Sequence, residues 1–213
     1  CLKYGLTVHN ILGLKGFSMT GEEVAIGAEG LDSAGFNMQS LIIGSEGMLM
    51  VVTEITVKLL PKPQHTEVLL AAFDEIAVAG QAVSNIIAAG LIPAGLEMMD
   101  NNAICAAEDY AHAGYPRDAA AILLIEIDGS INNVDDQLKI TREVLNNSGV
   151  KALKIARDST ERALFWKGRK SAFPAVGRIS PDYYCMDGTI PRKALPEVLD
   201  FITALSAEYG FLV

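Results

Sequence analysis

The sequence predicts an α+β fold in two parts, and three features carry that expectation. After residue 63, strand and helix signals follow one another through short loops in β-α-β and β-β groupings. These favour an antiparallel sheet with helices on one face over a parallel, doubly wound sheet. The first sixty or so residues are instead rich in glycine and β-type residues, and Pro61-Lys62-Pro63 marks the break between the two regions. Half of the 213 residues are apolar, enough to bury a real core.

In the first part, Gly44-Ser45-Glu46-Gly47 reads as a glycine turn feeding a buried strand through Met48-Leu49-Met50-Val51-Val52-Thr53-Glu54. Ile55, Val57 and Leu59 then alternate with Glu54, Thr56 and Lys58, the period-two pattern of a strand with one buried face. The two glycines lack a following Lys-Ser/Thr pair or a third glycine, which excludes a Walker loop and a dinucleotide fingerprint. Two readings stay open. The turn is a tight β-turn, or its successive N–H groups form a small anion-binding concavity.

In the second part, Glu67 to Phe73 reads as a strand, and Asp74 as the cap of a helix with apolar positions Ile76, Ala79, Val83, Ile86 and Ile87, closed by Gly90. Leu96 to Met99 is a short strand and Asn101 to His112 a helix. Ala119 to Ile127 is nearly all apolar, as a central strand should be. Val134, Leu138, Thr141 and Leu145 share one face of the next helix, which Gly149 ends before the strand Val150 to Ala156. Asp158 with Glu161 resembles a capping box at the start of a helix bearing Leu164 and Trp166. Tyr183 to Ile190 reads as another strand, and Leu195, Val198, Leu199, Ile202 and Leu205 form the stripe of a last helix stopped by Gly210. Phe211-Leu212-Val213 looks like the start of one more strand.

Seventeen Lys and Arg against 26 Asp and Glu leave a net charge of −9, which opposes a phosphate backbone and excludes nucleic acid as a partner. The longest apolar run, Ala119 to Ile127, is broken at Glu126 and Asp128 and is far short of the roughly 18 residues of a membrane span. Cys1, Cys105 and Cys185 are odd in number and widely spaced, which fits a reducing, cytoplasmic setting better than a disulfide framework. His9, His65 and His112 stand apart from one another and from cysteines at ligand spacing, so the chain shows no metal site of its own. It opens without an initiator Met and stops just inside an apparent strand, which reads as an internal fragment.

Four blocks carry a resemblance. They are Lys3-Tyr4-Gly5-Leu6-Thr7-Val8-His9-Asn10, the stretch from Gly44 to Glu54, Arg169-Lys170-Ser171-Ala172-Phe173-Pro174-Ala175-Val176-Gly177-Arg178, and Asp182-Tyr183-Tyr184-Cys185-Met186-Asp187-Gly188-Thr189-Ile190-Pro191-Arg192. In colinear order they resemble the FAD-linked oxidases of the vanillyl-alcohol oxidase superfamily. That group holds the flavin subunit of glycolate oxidase and the D-lactate and D-2-hydroxyglutarate dehydrogenases.

The resemblance implies that residues 1–63 are the end of the second FAD-binding subdomain. Residues 64–213 would be most of a ferredoxin-like cap domain with an antiparallel sheet and helices on one face. It also implies oxidation of a small 2-hydroxy acid, glycolate or D-lactate, by hydride transfer to flavin. The family's Glu-Gly-x-Leu-Gly-Ile/Val contributes backbone contacts to FAD and maps onto Glu46, Gly47, Met48, Leu49, Met50, Val51 and Val52. Met50 replaces a glycine of that pattern, and its thioether would crowd the cofactor unless it swings aside.

Trp166-x-x-Arg169 resembles the place where relatives bind the substrate carboxylate, which leaves Arg169 either as a carboxylate clamp or as an ordinary surface arginine. Cys185 stands where hydroxyglutarate-type relatives place a lysine. A thiol supplies no such charge, which favours a short monocarboxylate, although a small buried strand residue reads equally well there. Alternation along a strand would put Tyr183, Cys185 and Asp187 on one face, with Asp187 toward the flavin and Cys185 and Asp187 as substrate contacts.

The family's base, its His-x-Gly-Asp-Gly-Asn-x-His and Gly-Glu-His-Gly blocks and its divalent-metal ligands have no counterpart in these residues. The chain alone is therefore expected to be inactive and its FAD binding incomplete. Relatives further imply an iron–sulfur subunit and a second flavin-domain-like subunit, with attachment to the inner membrane through them. Residues 1–63, cut from their other half, would expose apolar surface and self-associate. A different class of protein also fits: a non-catalytic α+β interaction module built on the same scaffold.

Overall fold

The computed structural model describes residues 2–28, 30 and 35–211. Cys1 and the strand expected to continue through Leu212 and Val213 lie outside the described residues. The chain divides into two compact units, residues 1–62 and 63–213.

The first unit is built on a three-stranded antiparallel sheet of β1 (Ile11–Ser18), β2 (Glu23–Gly27) and β3 (Met50–Val57), in the order β2-β1-β3. Its leading turn is tied by Asn10, whose side-chain amide donates to the carbonyls of Tyr4 and Leu6 at 3.0 Å each. A four-residue helix, α1 (Gln39–Ile42), precedes the glycine turn. The expectation of a buried strand after that turn is not met. Met50 is buried, but Val51 to Val57 are exposed, because β3 is an edge strand paired only with β1 and no described element covers either of its faces.

The second unit is a four-stranded antiparallel sheet of β4 (His65–Phe73), β5 (Gly95–Asp100), β6 (Ala121–Gly129) and β7 (Ala152–Ile155), in the order β5-β6-β4-β7. Numbered from its own first strand this is 2-3-1-4, the ferredoxin-like arrangement of two split β-α-β units. The crossover helices are α2 (Ile76–Ala88) and α4 (Ile131–Asn147). They cover the face bearing Leu69, Ala71, Phe73, Leu123, Ile125 and Ile127.

Helices on one face describe only that pair. The chain adds α3 (Asn101–Ala111) between β5 and β6 and α5 (Ser159–Lys170) after β7, and these cover the opposite face at Val68, Leu70, Ala72, Ile122 and Leu124. The reason is visible in the strands, since β4 and β6 are apolar on both alternating sets of residues and need a layer on each side.

Most helix ends follow their local chemistry. Asp100 accepts from the Ala103 N–H at 2.9 Å and caps α3, and Gly90 takes a left-handed φ of 80° after α2. Gly149 does the same after α4, at φ 77°. Asp74 does not cap α2. Glu75 holds the N-cap position without a side-chain bond, while Asp74 pairs with Lys151 at 2.8 Å. Asp158 accepts from the Glu161 N–H at 2.9 Å, but Glu161 reaches back to the Arg157 N–H, one residue short of a reciprocal box.

After α6 (Ala172–Val176) the chain runs without regular structure to a 3-10 turn at Arg192–Ala194, then enters α7 (Leu195–Tyr209). No strand forms between Tyr183 and Ile190, because no described strand lies alongside to take up its backbone groups. The first turn of α7 packs on α2, where Pro196 lies over Gly80.

Candidate cofactor and substrate site

The glycine turn of the first unit is shaped by its backbone. Ser45 donates to the Ile42 carbonyl at 3.0 Å and Met48 to the Ser45 carbonyl at 2.9 Å. Between them Glu46 and Gly47 both have left-handed φ, 54° and 80°, the signature of a type I′ turn. Glycine adopts this at no cost, whereas Glu46 does so against its own Cβ.

A Cβ built at Gly44 or Gly47 would meet nothing within 4 Å, so the outer side of the turn is open. Glu46, Gly47, Met48, Leu49, Val51 and Val52 are all exposed. Met50 alone turns inward. It is 2% exposed, and its methyl group occupies the space that the missing side chain of Gly16 leaves on β1. The thioether therefore packs into the sheet and leaves the open side of the turn clear. The resemblance implies backbone contacts to a flavin cofactor from this segment, and an open turn of exposed residues fits such contacts.

In the second unit, α5 presents Trp166 and Arg169 one turn apart to the end of the sheet formed by β5 and β6. Gly95 pairs with Glu126 and Glu97 with Leu124 across these strands, so Gly95, Glu97 and Glu126 share one face. Trp166 packs against Gly95, where a Cβ would come to 3.0 Å from the ring, and its indole N–H donates to Glu126 Oε2 at 2.6 Å. Arg169 donates through Nε at 3.1 Å to Oε2 of Glu97, and its Nη2 lies 2.9 Å from the same oxygen.

From the other side, Tyr115 closes on Gly168 and its hydroxyl donates to the Phe165 carbonyl. Burial pushes the Tyr115 phenol well above its ordinary range, so it remains a donor. Three contacts thus fix the turn that carries Arg169.

The residues singled out from the sequence are not all brought together. Among the described residues, Arg169 has no hydrogen bond or ion pair with Cys185 or Asp187. Those two are exposed in the irregular stretch before α7, so the strand-face argument that grouped Tyr183, Cys185 and Asp187 does not apply. Sequence reasoning missed Glu97, Glu126, Tyr115 and Gly168. One signal was present for Glu126, an acidic residue inside the most apolar run of the chain, where a carboxylate drawn partly out of water needs a donor. Among the described residues no three His, Cys, Asp or Glu side chains gather to hold a metal, and no helix is long and apolar enough to cross a membrane.

Comparison with known proteins agrees with this architecture. Residues 62–213 match the family model of FAD linked oxidases, C-terminal domain, and the chain belongs to that family. It is 57% identical over its whole length to the glycolate oxidase subunit GlcD of Escherichia coli (strain K12), covering 43% of that protein. It is 26% identical to the D-lactate dehydrogenase of Anaerostipes hadrus, covering all of this chain and 46% of that protein. Among solved structures, 4-ethylphenol oxidase from Gulosibacter chungangensis aligns with a TM-score of 0.70 at 13% identity, over 94% of this chain and 47% of that one. The chain thus spans a little under half the length of the curated relatives it matches.

Proposed function

We propose that this chain belongs to an FAD-dependent oxidoreductase that converts a small 2-hydroxy acid, glycolate or D-lactate, to the 2-oxo acid. The observation that carries this reading is the 57% identity to a glycolate oxidase subunit along the whole chain, which includes the Trp166–Arg169 turn. FAD, when bound, supplies the two-electron acceptor for the hydride that leaves the α-carbon as the hydroxyl loses its proton.

The residues of this chain bind and orient. The backbone from Glu46 to Val52 would hold the cofactor along the open side of the turn. Arg169 would grip the substrate carboxylate, for which a planar guanidinium is suited. Cys185 and Asp187 would line the end of the pocket away from that carboxylate. The neutral thiol suits a monocarboxylate better than a dicarboxylate, whose second charge would go unpaired.

The test is direct. The full-length protein is purified and its flavin absorbance followed on adding glycolate or D-lactate under anaerobic conditions. Bleaching by either acid is expected. A colourless protein, or a flavin that neither acid reduces, overturns the reading.

A further inference from the structure

Arg169 has five N–H groups in a planar fork, and how many are already committed decides what it can still bind. Glu97 Oε2 takes the Nε–H at 3.1 Å and lies 2.9 Å from Nη2, an approach from the side of the guanidinium. Among the described residues no other side chain hydrogen-bonds to the Arg169 guanidinium. The end of the fork, formed by Nη1 and the second Nη2–H, keeps the parallel pair of donors that matches a carboxylate. The side chain is 34% exposed, while the turn behind it is pinned by Trp166 on Glu126 and by Tyr115 against Gly168.

We propose that Glu97 is a positioning residue: by holding Arg169 from the side, it orients the end of the guanidinium fork for a substrate carboxylate. This rests on the reading of Arg169 as the carboxylate clamp. Orientation rather than charge is the point of the arrangement. A carboxylate beside Arg169 weakens its net attraction for an anion, so its presence helps binding only if the fixed geometry outweighs that loss.

Three substitutions separate the two effects. Glu97→Gln keeps an acceptor at the same reach, Glu97→Asp keeps the charge but is one methylene too short, and Glu97→Ala removes both. Oxalate, which flavin cannot oxidise and whose second carboxylate would stand at the α-carbon position and not at the far end of the pocket, is titrated calorimetrically into the full-length flavoprotein and each variant. KM and kcat for glycolate and D-lactate are measured alongside.

The expected result is that Asp and Ala weaken oxalate binding and raise KM about tenfold with kcat within about threefold, whereas Gln stays within about threefold of the parent on both. In an Arg169→Ala background, Glu97→Asp should have no further effect on oxalate affinity. The Asp variant carries the test if the Ala variant fails to melt cooperatively. Tighter oxalate binding in Gln and Ala would mean that Glu97 competes with the anion, and unchanged binding in Asp would mean that it does not orient Arg169; either overturns the proposal. Because oxalate binding needs no turnover, flavin that is not reduced by either hydroxy acid defeats the proposed reaction without deciding this one.

Discussion

Arg157 donates twice to one oxygen of Glu161, from its backbone N–H at 2.8 Å and from its guanidinium Nε at 3.0 Å. Lys154 Nζ lies 2.7 Å from the other oxygen, and the carboxylate itself is buried at the start of α5. The hydrogen bond from Arg157, followed by that from Lys154, holds Glu161 down to a pKa of about 2 from an ordinary 4.5. A depressed carboxylate stabilises the fold above its unfolded pKa and loses that contribution as pH falls through the folded one. The window is therefore pH 4.5 down to about 2. Glu161→Gln should melt below the parent at pH 7, and the gap should narrow through that window. A constant difference in melting temperature from pH 7 to 2.5 would refute the assignment.

Helix propensity alone favours alanine over glycine in α5 by about 1 kcal/mol. At Gly168 the structure predicts the reverse, since a Cβ would lie 2.5 Å from the Tyr115 hydroxyl oxygen and 2.7 Å from the Ala113 Cβ. Gly168→Ala should lower stability by about 1–3 kcal/mol, read from the urea midpoint, and should shift the emission of Trp166, the single tryptophan of this chain. A more stable Gly168→Ala protein would show that Tyr115 does not close on the helix.

The glycine turn makes opposite predictions at adjacent positions. Gly47→Ala forces a side chain into φ 80° and should cost about 1–2 kcal/mol even though the site is open. Glu46→Asn places a residue that tolerates the left-handed region at φ 54° and should gain up to about 1 kcal/mol. Thermal melts of the two variants should move apart. Movement in the same direction would contradict a type I′ turn.

Arg169→Lys tests the clamp itself. Lysine keeps the charge but loses the fork, and a charge-assisted pair is worth about 1.5–3 kcal/mol. KM for glycolate or D-lactate should rise roughly 10- to 100-fold while kcat changes little. A KM within twofold of the parent would remove Arg169 from substrate binding.

The order of elements in the second unit was legible because each helix and strand carries its own period and its own terminator. Gly90 and Gly149 ended helices where expected, and Asp100 and Asp158 sit at helix starts. The second helical layer was harder to see. Sequence periodicity shows that β4 and β6 are apolar on both faces, but it does not say which helix lands on which.

Tyr183 to Ile190 has strand-like composition and no ladder, since pairing depends on a neighbour that local sequence cannot supply. The apolar residues of β3 misled in the same way, because hydrophobic alternation records a preference for burial and not its occurrence. At the candidate site, Arg169 stood out through its motif, whereas Glu97 lies 72 residues away and becomes its partner only through the β5–β6 register.

The stretch from 181 to 191 differs in kind from the turn that bears Arg169. No sheet hydrogen bond passes through it, and Tyr184 and Met186 are 87% and 76% exposed. Side chains there can be exchanged without repacking the core, while a side chain added at Gly168 runs into Tyr115 and Ala113. On the proposed function, choice among related acids would drift along this pliant strap, with the anchor proposed for their common carboxylate left untouched.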